Sequence, residues 1–177
     1  MAAREQIVVR VSEPGDGRWA ADASALIAQA AAEHDIAPRA VDFLSKKLET
    51  GRAALALDDG VLVGFGYWSE WEDGAFVSHS GLVVRPDQRG TGLGRELKAL
   101  LFEGSRRRFP QAKVMSLTTS PQVRAMNLRL GFRPCGFAEV TTDEAFWDGC
   151  KTCSKYEETR AAGLRCCCEP MVMDPPA

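Results

Sequence analysis

The chain reads as an α/β protein built on a mixed sheet. Three observations carry that reading. Its 177 residues, 45% of them apolar, suit one domain with a proper core. Short runs rich in Val, Ile and Leu alternate with longer runs at helical spacing. A glycine-rich turn joins a long strand-like run to a long helix-like one.

Taken in order, Ile7–Val11 is rich in β-branched residues and forms a first strand, and Pro14–Gly17 is a loop. Ala20–His34 is alanine-rich and helical. Val41–Leu48 is a second helix, with Pro38 near its start and Val41, Leu44 and Leu48 on one buried face. Ala53–Leu57 and Val61–Ser69 are strands joined by the hairpin turn Asp58-Asp59-Gly60. Trp71–Gly74 turns into a long strand, Ala75–Arg85. The glycine turn Gln88–Gly94 then opens a helix, Glu96–Phe109. Lys113–Thr118 is a strand, Val123–Leu130 a short helix closed by Gly131, and Phe132–Val140 a returning strand. No internal repeat or low-complexity segment interrupts this order.

The turn Gln88-Arg89-Gly90-Thr91-Gly92-Leu93-Gly94 carries the functional information. A strand that bends through glycines into a helix start aims free backbone N–H groups at one point, where the helix dipole favours negative charge. Such a place suits phosphate. A P-loop would need Lys and then Ser or Thr after the last glycine; Arg95 and Glu96 stand there instead. A dinucleotide fold would show Gly-x-Gly-x-x-Gly near the start of a βαβ unit; this chain has Gly-x-Gly-x-Gly, about halfway along.

The run Leu82-Val83-Val84-Arg85-Pro86-Asp87-Gln88-Arg89-Gly90-Thr91-Gly92-Leu93-Gly94 resembles the acyl-CoA loop of the GNAT superfamily of acetyl-CoA-dependent N-acetyltransferases. Asn127-Leu128-Arg129-Leu130-Gly131-Phe132 resembles the same family's helix ending in Gly-Phe. The resemblance spans roughly Ile7 to Phe137. It implies a mixed, mostly antiparallel sheet splayed between its fourth and fifth strands, with helices on both faces. It implies residues 1–140 as the transferase core, and 141–177 as a cysteine-rich hairpin insertion plus last strand of the same domain.

The implied reaction moves an acetyl group from acetyl-CoA to a primary amine of a small molecule or peptide, by direct attack in a ternary complex. The resemblance gives cofactor binding to Leu82, Val84, Gln88, Arg89, Gly90, Thr91, Gly92, Leu93, Gly94 and Arg95. It gives a backbone N–H near Val83 to the thioester oxygen, a donor of a kind worth about 3 kcal/mol in a transition state. Two positions depart from the family pattern. Gly81 stands where relatives often carry a glutamate base, and Asn127 where they often carry a tyrosine acid. His79, two residues before Gly81, lies on the same strand face by alternation and is a candidate base; a packed sheet histidine is the competing reading. Glu70, Glu72 and Asp73 are further candidates. Asn127 cannot give up a proton but can hydrogen-bond the sulfur or the substrate. A weak base favours an α-amine, neutral about a tenth of the time at pH 7, over a lysine amine, neutral roughly once in a thousand.

Net charge is −2, which gives no nucleic-acid footprint, and Arg106-Arg107-Arg108 reads as a solvated helix end. Met1–Arg10 lacks a secretory pattern and no apolar run reaches bilayer length, so a cytoplasmic protein with no membrane partner is expected. A homodimer is compatible with these features.

Five of the six cysteines lie between Cys150 and Cys168. In a reducing compartment such clustering points to metal or thiol chemistry. With Cys166–Met173 read as a strand, alternation sends Cys166 and Cys168 to one face, where Cys150 and Cys153 can join them around a structural zinc. Small buried hydrophobes with free thiols, or a labile disulfide, are the other readings. A CoA-binding module with a cysteine metal or thiol sensor and little turnover is therefore the alternative to an enzyme. Transfer to a hydroxyl, or of a longer acyl chain, stands behind both.

Overall fold

The computed structural model describes residues 7–177; Met1–Gln6, the first part of the segment read for a leader, lie outside the described residues. The strands are β1 (Val8–Val11), β2 (Ala53–Asp58), β3 (Val61–Trp71), β4 (Phe76–Val84), β5 (Lys113–Thr118), β6 (Arg133–Pro134) and β7 (Glu169–Met173). The helices are α1 (Ala20–Ala31), α2 (Val41–Glu49), α3 (Leu93–Arg108), α4 (Pro121–Leu130), α5 (Glu144–Asp148) and α6 (Tyr156–Ala161). The strands form one seven-stranded sheet in the order β1-β2-β3-β4-β5-β7-β6. Its β4–β5 pair is parallel and the other neighbours are antiparallel.

The alternation of each strand divides the core between two faces. On one face, Ile27 of α1 and Leu44 and Leu48 of α2 pack on Leu55, Phe65, Tyr67 and Val83. The same face, over β5 and β7, is covered by the C-terminal segment through Val140 and Trp147 on Met115 and Val172. The opposite face takes Leu93, Leu97 and Leu101 of α3 against Ala54, Val63, Trp68 and Val77. Leu97 and Leu101 are completely buried, or nearly so, and each contributes about 1.5–3 kcal/mol. Arg106 at the end of α3 donates to the carbonyls of Pro110 and Ala112 and so ties the helix end to the start of β5, more than a solvated helix end requires.

The sheet opens in the middle. β4 pairs with β5 only from Phe76↔Lys113 to Ser78↔Met115; beyond that the strands diverge. The cause lies in β4. Phe65↔Val83 and Tyr67↔Ser80 are register partners, so β4 carries one residue more than β3 between them. This bulge turns at Gly81, whose φ is 63°. A Cβ there would lie 2.6 Å from the Tyr67 ring. Gly81→Ala is therefore expected to lower stability by about 2–4 kcal/mol, read by denaturant unfolding; a change below the measurement error would remove the bulge from this account.

Several boundaries differ from the sequence expectation. α3 begins at Leu93 rather than Glu96, because Gly92 in the left-handed region serves as its N-cap. The strand expected over Phe132–Val140 shrinks to β6, where Pro134 offers no donor and the chain leaves through a 3₁₀ turn at Phe137–Glu139. α5 is an element the sequence reading left in the insertion, capped by Asp143 Oδ1 accepting from Ala145 N–H at 3.0 Å. No described helix is long and apolar enough to cross a membrane.

Candidate active site

The glycine turn meets the opened sheet. The N–H groups of Gln88 and Arg89 are bound within the turn, to the carbonyls of Arg85 and Pro86, and those of Arg95 and Glu96 both reach Gly92 O. Between them, the N–H groups of Gly90, Thr91, Gly92, Leu93 and Gly94 have no backbone acceptor among the described residues. A Cβ built on Gly90 meets nothing within 4 Å, and one built on Gly92 meets only the Arg95 guanidinium at 3.8 Å. The bend is thus an open cradle of donors at a helix start, and it fits a diphosphate. The Arg89 side chain donates to Val84 O at 3.2 Å, so both its backbone N–H and its Nε are engaged within the turn. Thr91 Oγ1 donates to Gln88 O at 2.6 Å and closes the turn.

The cradle edges a cavity of about 840 Å³ that runs through the gap between β4 and β5. Gln88, Arg89, Gly90, Gly92, Leu93 and Gly94 line one end, and Leu82 and Val84 line the gap. Arg85 N–H bonds to Val63 O on β3. Alternation then turns the Val83 N–H the same way, toward its partner Phe65, and turns those of Leu82 and Val84 into the gap. The Val83 N–H therefore faces β3, and the gap-facing N–H groups nearest to it are those of Leu82 and Val84.

Residues 22–137 match the family described as the acetyltransferase (GNAT) family. The chain belongs to that family. Its fold is similar to that of N-acetylglutamate synthase from Neisseria gonorrhoeae complexed with coenzyme A and N-acetyl-glutamate, at a TM-score of 0.69 and 16% identity over 99% of this chain and 37% of that one. It is also similar to Rv2747 from Mycobacterium tuberculosis in complex with CoA and NLQ, at 0.68 and 17% over 96% and 99% of the two chains. A third is yncA from Salmonella typhimurium with its cofactor acetyl-CoA, at 0.61 and 21% over 73% and 81%. At these identities the likenesses show the fold alone. No curated protein matches the chain.

Within this GNAT fold the residues expected to handle protons lie elsewhere than the sequence suggests. His79 does not share a face with Gly81. The bulge reverses the alternation, so His79 points to α3, where Nε2 lies 3.0 Å from Ser105 Oγ, while Gly81 faces Tyr67 and α1. His79 is 6% exposed and its Nδ1 has no partner among the described residues. Burial, with the charges of Lys98 and Arg106 behind it, holds His79 well below the usual imidazole range. Asn127 is fully buried, gives its amide to Met171 Sδ at 3.6 Å and is not among the cavity-lining residues. Glu70 is bound to Arg52 at 2.7 Å, and Glu72 holds Thr141 Oγ1 at 2.6 Å and Thr142 N–H at 3.0 Å. Each carboxylate is already occupied by a structural partner.

Sequence reasoning missed Lys98. It is 2% exposed, lines the cavity and has no carboxylate within 4.0 Å among the described residues; its Nζ lies 5.0 Å from the Phe132 ring centre. Burial alone pushes it down to about 7. The signal was legible in retrospect: Gly94, Lys98, Leu101 and Ser105 fall on one helical stripe, and a lysine inside such a stripe is anomalous.

At the far end of the cavity Tyr67 fills the space that the missing side chain at Gly81 leaves. Arg39 Nε donates to Tyr67 Oη at 2.8 Å, and its Nη1 to the carbonyls of Ala37, Pro38 and Gly149. Arg165 stacks over Trp147, 4.2 Å from the ring centre. Both arginines line the cavity, and neither has a carboxylate partner among the described residues.

The cysteines line the same end. Residues 166–168 form a bend rather than a strand, because β7 starts only at Glu169. Alternation therefore does not separate Cys167 from its neighbours: the sulfurs of Cys166, Cys167 and Cys168 lie within 4.8 Å of one another. Of the cysteines expected to share a ligand set, Cys166 and Cys168 belong to this triad, and Cys150 packs in the same hydrophobic cluster as Cys166, while Cys153 lines the cavity beside them. Hydrogen bonds from Cys150 and Cys168 pull Cys166 below the ordinary thiol range, and Cys150 and Cys168 are pushed up in turn. Cys135 packs against the same Val140–Trp147 cluster as Cys150 and Cys166 but is not in the sulfur triad.

Proposed function

We propose that the chain transfers an acetyl group from acetyl-CoA to the amine of a small acceptor that carries a carboxylate, by direct attack with both substrates bound. The observation that carries the reading is the set of free N–H groups from Gly90 to Gly94 at the mouth of the β4–β5 gap. Acetyl-CoA supplies a thioester-activated acyl carbon. The chain's own groups do the rest. The cradle holds the diphosphate, and the gap-facing N–H of Leu82 or Val84 receives the oxygen that gains charge.

Lys98 handles the proton. A lysine near pKa 7 is divided between its two forms at neutral pH, so it can take a proton from the attacking amine, through water, or return one to the departing sulfur. Arg39 and Arg165 recognise the acceptor. Two cavity guanidiniums without carboxylate partners suit an acceptor carboxylate, which pairs well with a planar fork of donors. The N-acetyl-glutamate bound in the Neisseria relative agrees with that class.

The test is a screen of acidic and neutral amino acids, polyamines and peptide N-termini for acceptor-dependent release of free CoA thiol. Turnover confined to carboxylate-free amines would reject the acceptor class; no turnover with CoA still bound would favour the sensor alternative. Arg165→Met is expected to raise the acceptor KM by about 10- to 100-fold, the loss of one charged hydrogen bond, and to leave the KM for acetyl-CoA in place. Equal changes in both constants would refute the assignment.

A further inference from the structure

We propose that Cys150, Cys166, Cys167 and Cys168 bind one soft divalent cation of the zinc class, and that this ion clamps the wall of the acceptor end of the cavity. The site rests on geometry and lies beyond the transferase reading. Four thiols from two chain segments gather at one end of the cavity: three have sulfurs within 4.8 Å of one another, and the fourth, Cys150, packs in the same hydrophobic cluster as Cys166. Four sulfurs tetrahedral about zinc sit about 3.8 Å apart, so a small contraction of the triad supplies three corners and Cys150 is the nearby thiol for the fourth. Cys168 N–H already points at Cys166 Sγ at 3.4 Å, a contact that orients a thiolate ligand.

The donor set is all sulfur, with no imidazole or carboxylate in the group. Such a set favours zinc, cadmium or copper(I) over magnesium and calcium. The balance is simple: each ligand loses its thiol proton as its bond to the metal forms, and no electron moves. Arg39, whose Nη1 reaches Gly149 O, and Arg165, whose guanidinium stacks over the Trp147 ring that packs with Cys150 and Cys166, offset part of the charge of the thiolates.

The placement gives the ion its consequence. Cys150 follows α5, and Cys166–Cys168 lead into β7. The segment between them carries α6, with Tyr156 and Thr159 on the cavity wall. An ion that joins the two ends closes this segment as a loop, and loop closure limits its excursions. The segment also holds Lys151, Lys155, Arg160 and Arg165, four trypsin sites that report on whether the clamp is shut.

The experiment uses the full chain purified under reducing conditions without chelator. Metal analysis is expected to give one zinc per chain. Replacement by cadmium is expected to produce a thiolate-to-metal charge-transfer band, lost in Cys166→Ser and kept in Cys135→Ser. Competition with a copper(I) donor distinguishes the two soft ions. Trypsin is expected to cut between Cys150 and Cys166 at least tenfold faster after chelation. The melting response of Cys166→Ser to acetyl-CoA shows whether that variant folds, and the wild-type stoichiometry needs no variant. Absence of bound metal, a cadmium band that survives Cys166→Ser, or a disulfide at Cys166 under these conditions would each overturn the site. A wild-type chain that binds the ion but not acetyl-CoA would leave the clamp standing and strike the transferase reading instead.

Discussion

Gly92→Glu is expected to weaken acetyl-CoA binding by on the order of a hundredfold or more, equivalent to about 2.7 kcal/mol. Two effects add. The φ of 97° at Gly92 belongs to the left-handed region, so any side chain there strains the turn by about 1–3 kcal/mol. The new carboxylate would also project among the free N–H groups of Gly90 to Gly94 and take the place of the diphosphate, with Arg95 as its nearest neighbour. Gly92→Ala separates the two, because it carries the strain without the charge. Calorimetric titration is expected to rank the affinities wild type, then Ala, then Glu. An unchanged Kd in the Glu variant would show that the cradle is not the phosphate site.

Lys98→Met is expected to act on stability and on turnover in opposite directions. In the folded chain Lys98 titrates near 7; in the unfolded chain it titrates near its ordinary value of 10.5. Between those values the unfolded state binds more protons, so stability rises with pH, by at most about 1.4 kcal/mol per pH unit from this group. Below pH 7 the folded chain must hold a buried, unpaired ammonium. The methionine variant is thus expected to be more stable at pH 7 by roughly 2–4 kcal/mol and to show a flatter dependence above it. A residual slope above pH 8 belongs to Lys47, which burial pushes down to about 8.

Turnover should move the other way. A base must be neutral to accept a proton, so wild-type kcat/KM is expected to rise through pH 7. Lys98→Met should remove that inflection and lower kcat/KM by on the order of a hundredfold, while His79→Gln should keep the inflection. A profile that Lys98→Met leaves intact would return the search to the other cavity groups. A loss of the inflection in His79→Gln would mean that the buried ring is coupled to the reaction after all.

Much of the fold was legible because it rests on local signals. The Leu, Val and Ala spacing that gives α1, α2 and β2–β4 fixes which face is apolar, and Pro86 with Gly90, Gly92 and Gly94 fixes where strand turns to helix. The order of elements and the phosphate cradle follow from those. The side-chain roles did not, because they depend on the bulge at Gly81. One inserted residue reverses alternation, sends His79 under α3 and turns Val83 to β3. No local pattern in the sequence announces that reversal. The cysteine bend is a second instance: Cys166–Cys168 would alternate in a strand and converge only because β7 starts at Glu169.

By itself the sequence determined the sheet, its helices and the glycine bend, since hydrophobic period and backbone permission act within a few residues. Which groups share the cavity was decided only in three dimensions. Lys98, Arg39 and Arg165 are far apart along the chain and unremarked by any motif, and the cysteine cluster, although visible in the sequence, joins them only in the fold. They meet because β4 and β5 part after Ser78, and the altered charge state of Lys98 comes from the burial that this packing imposes.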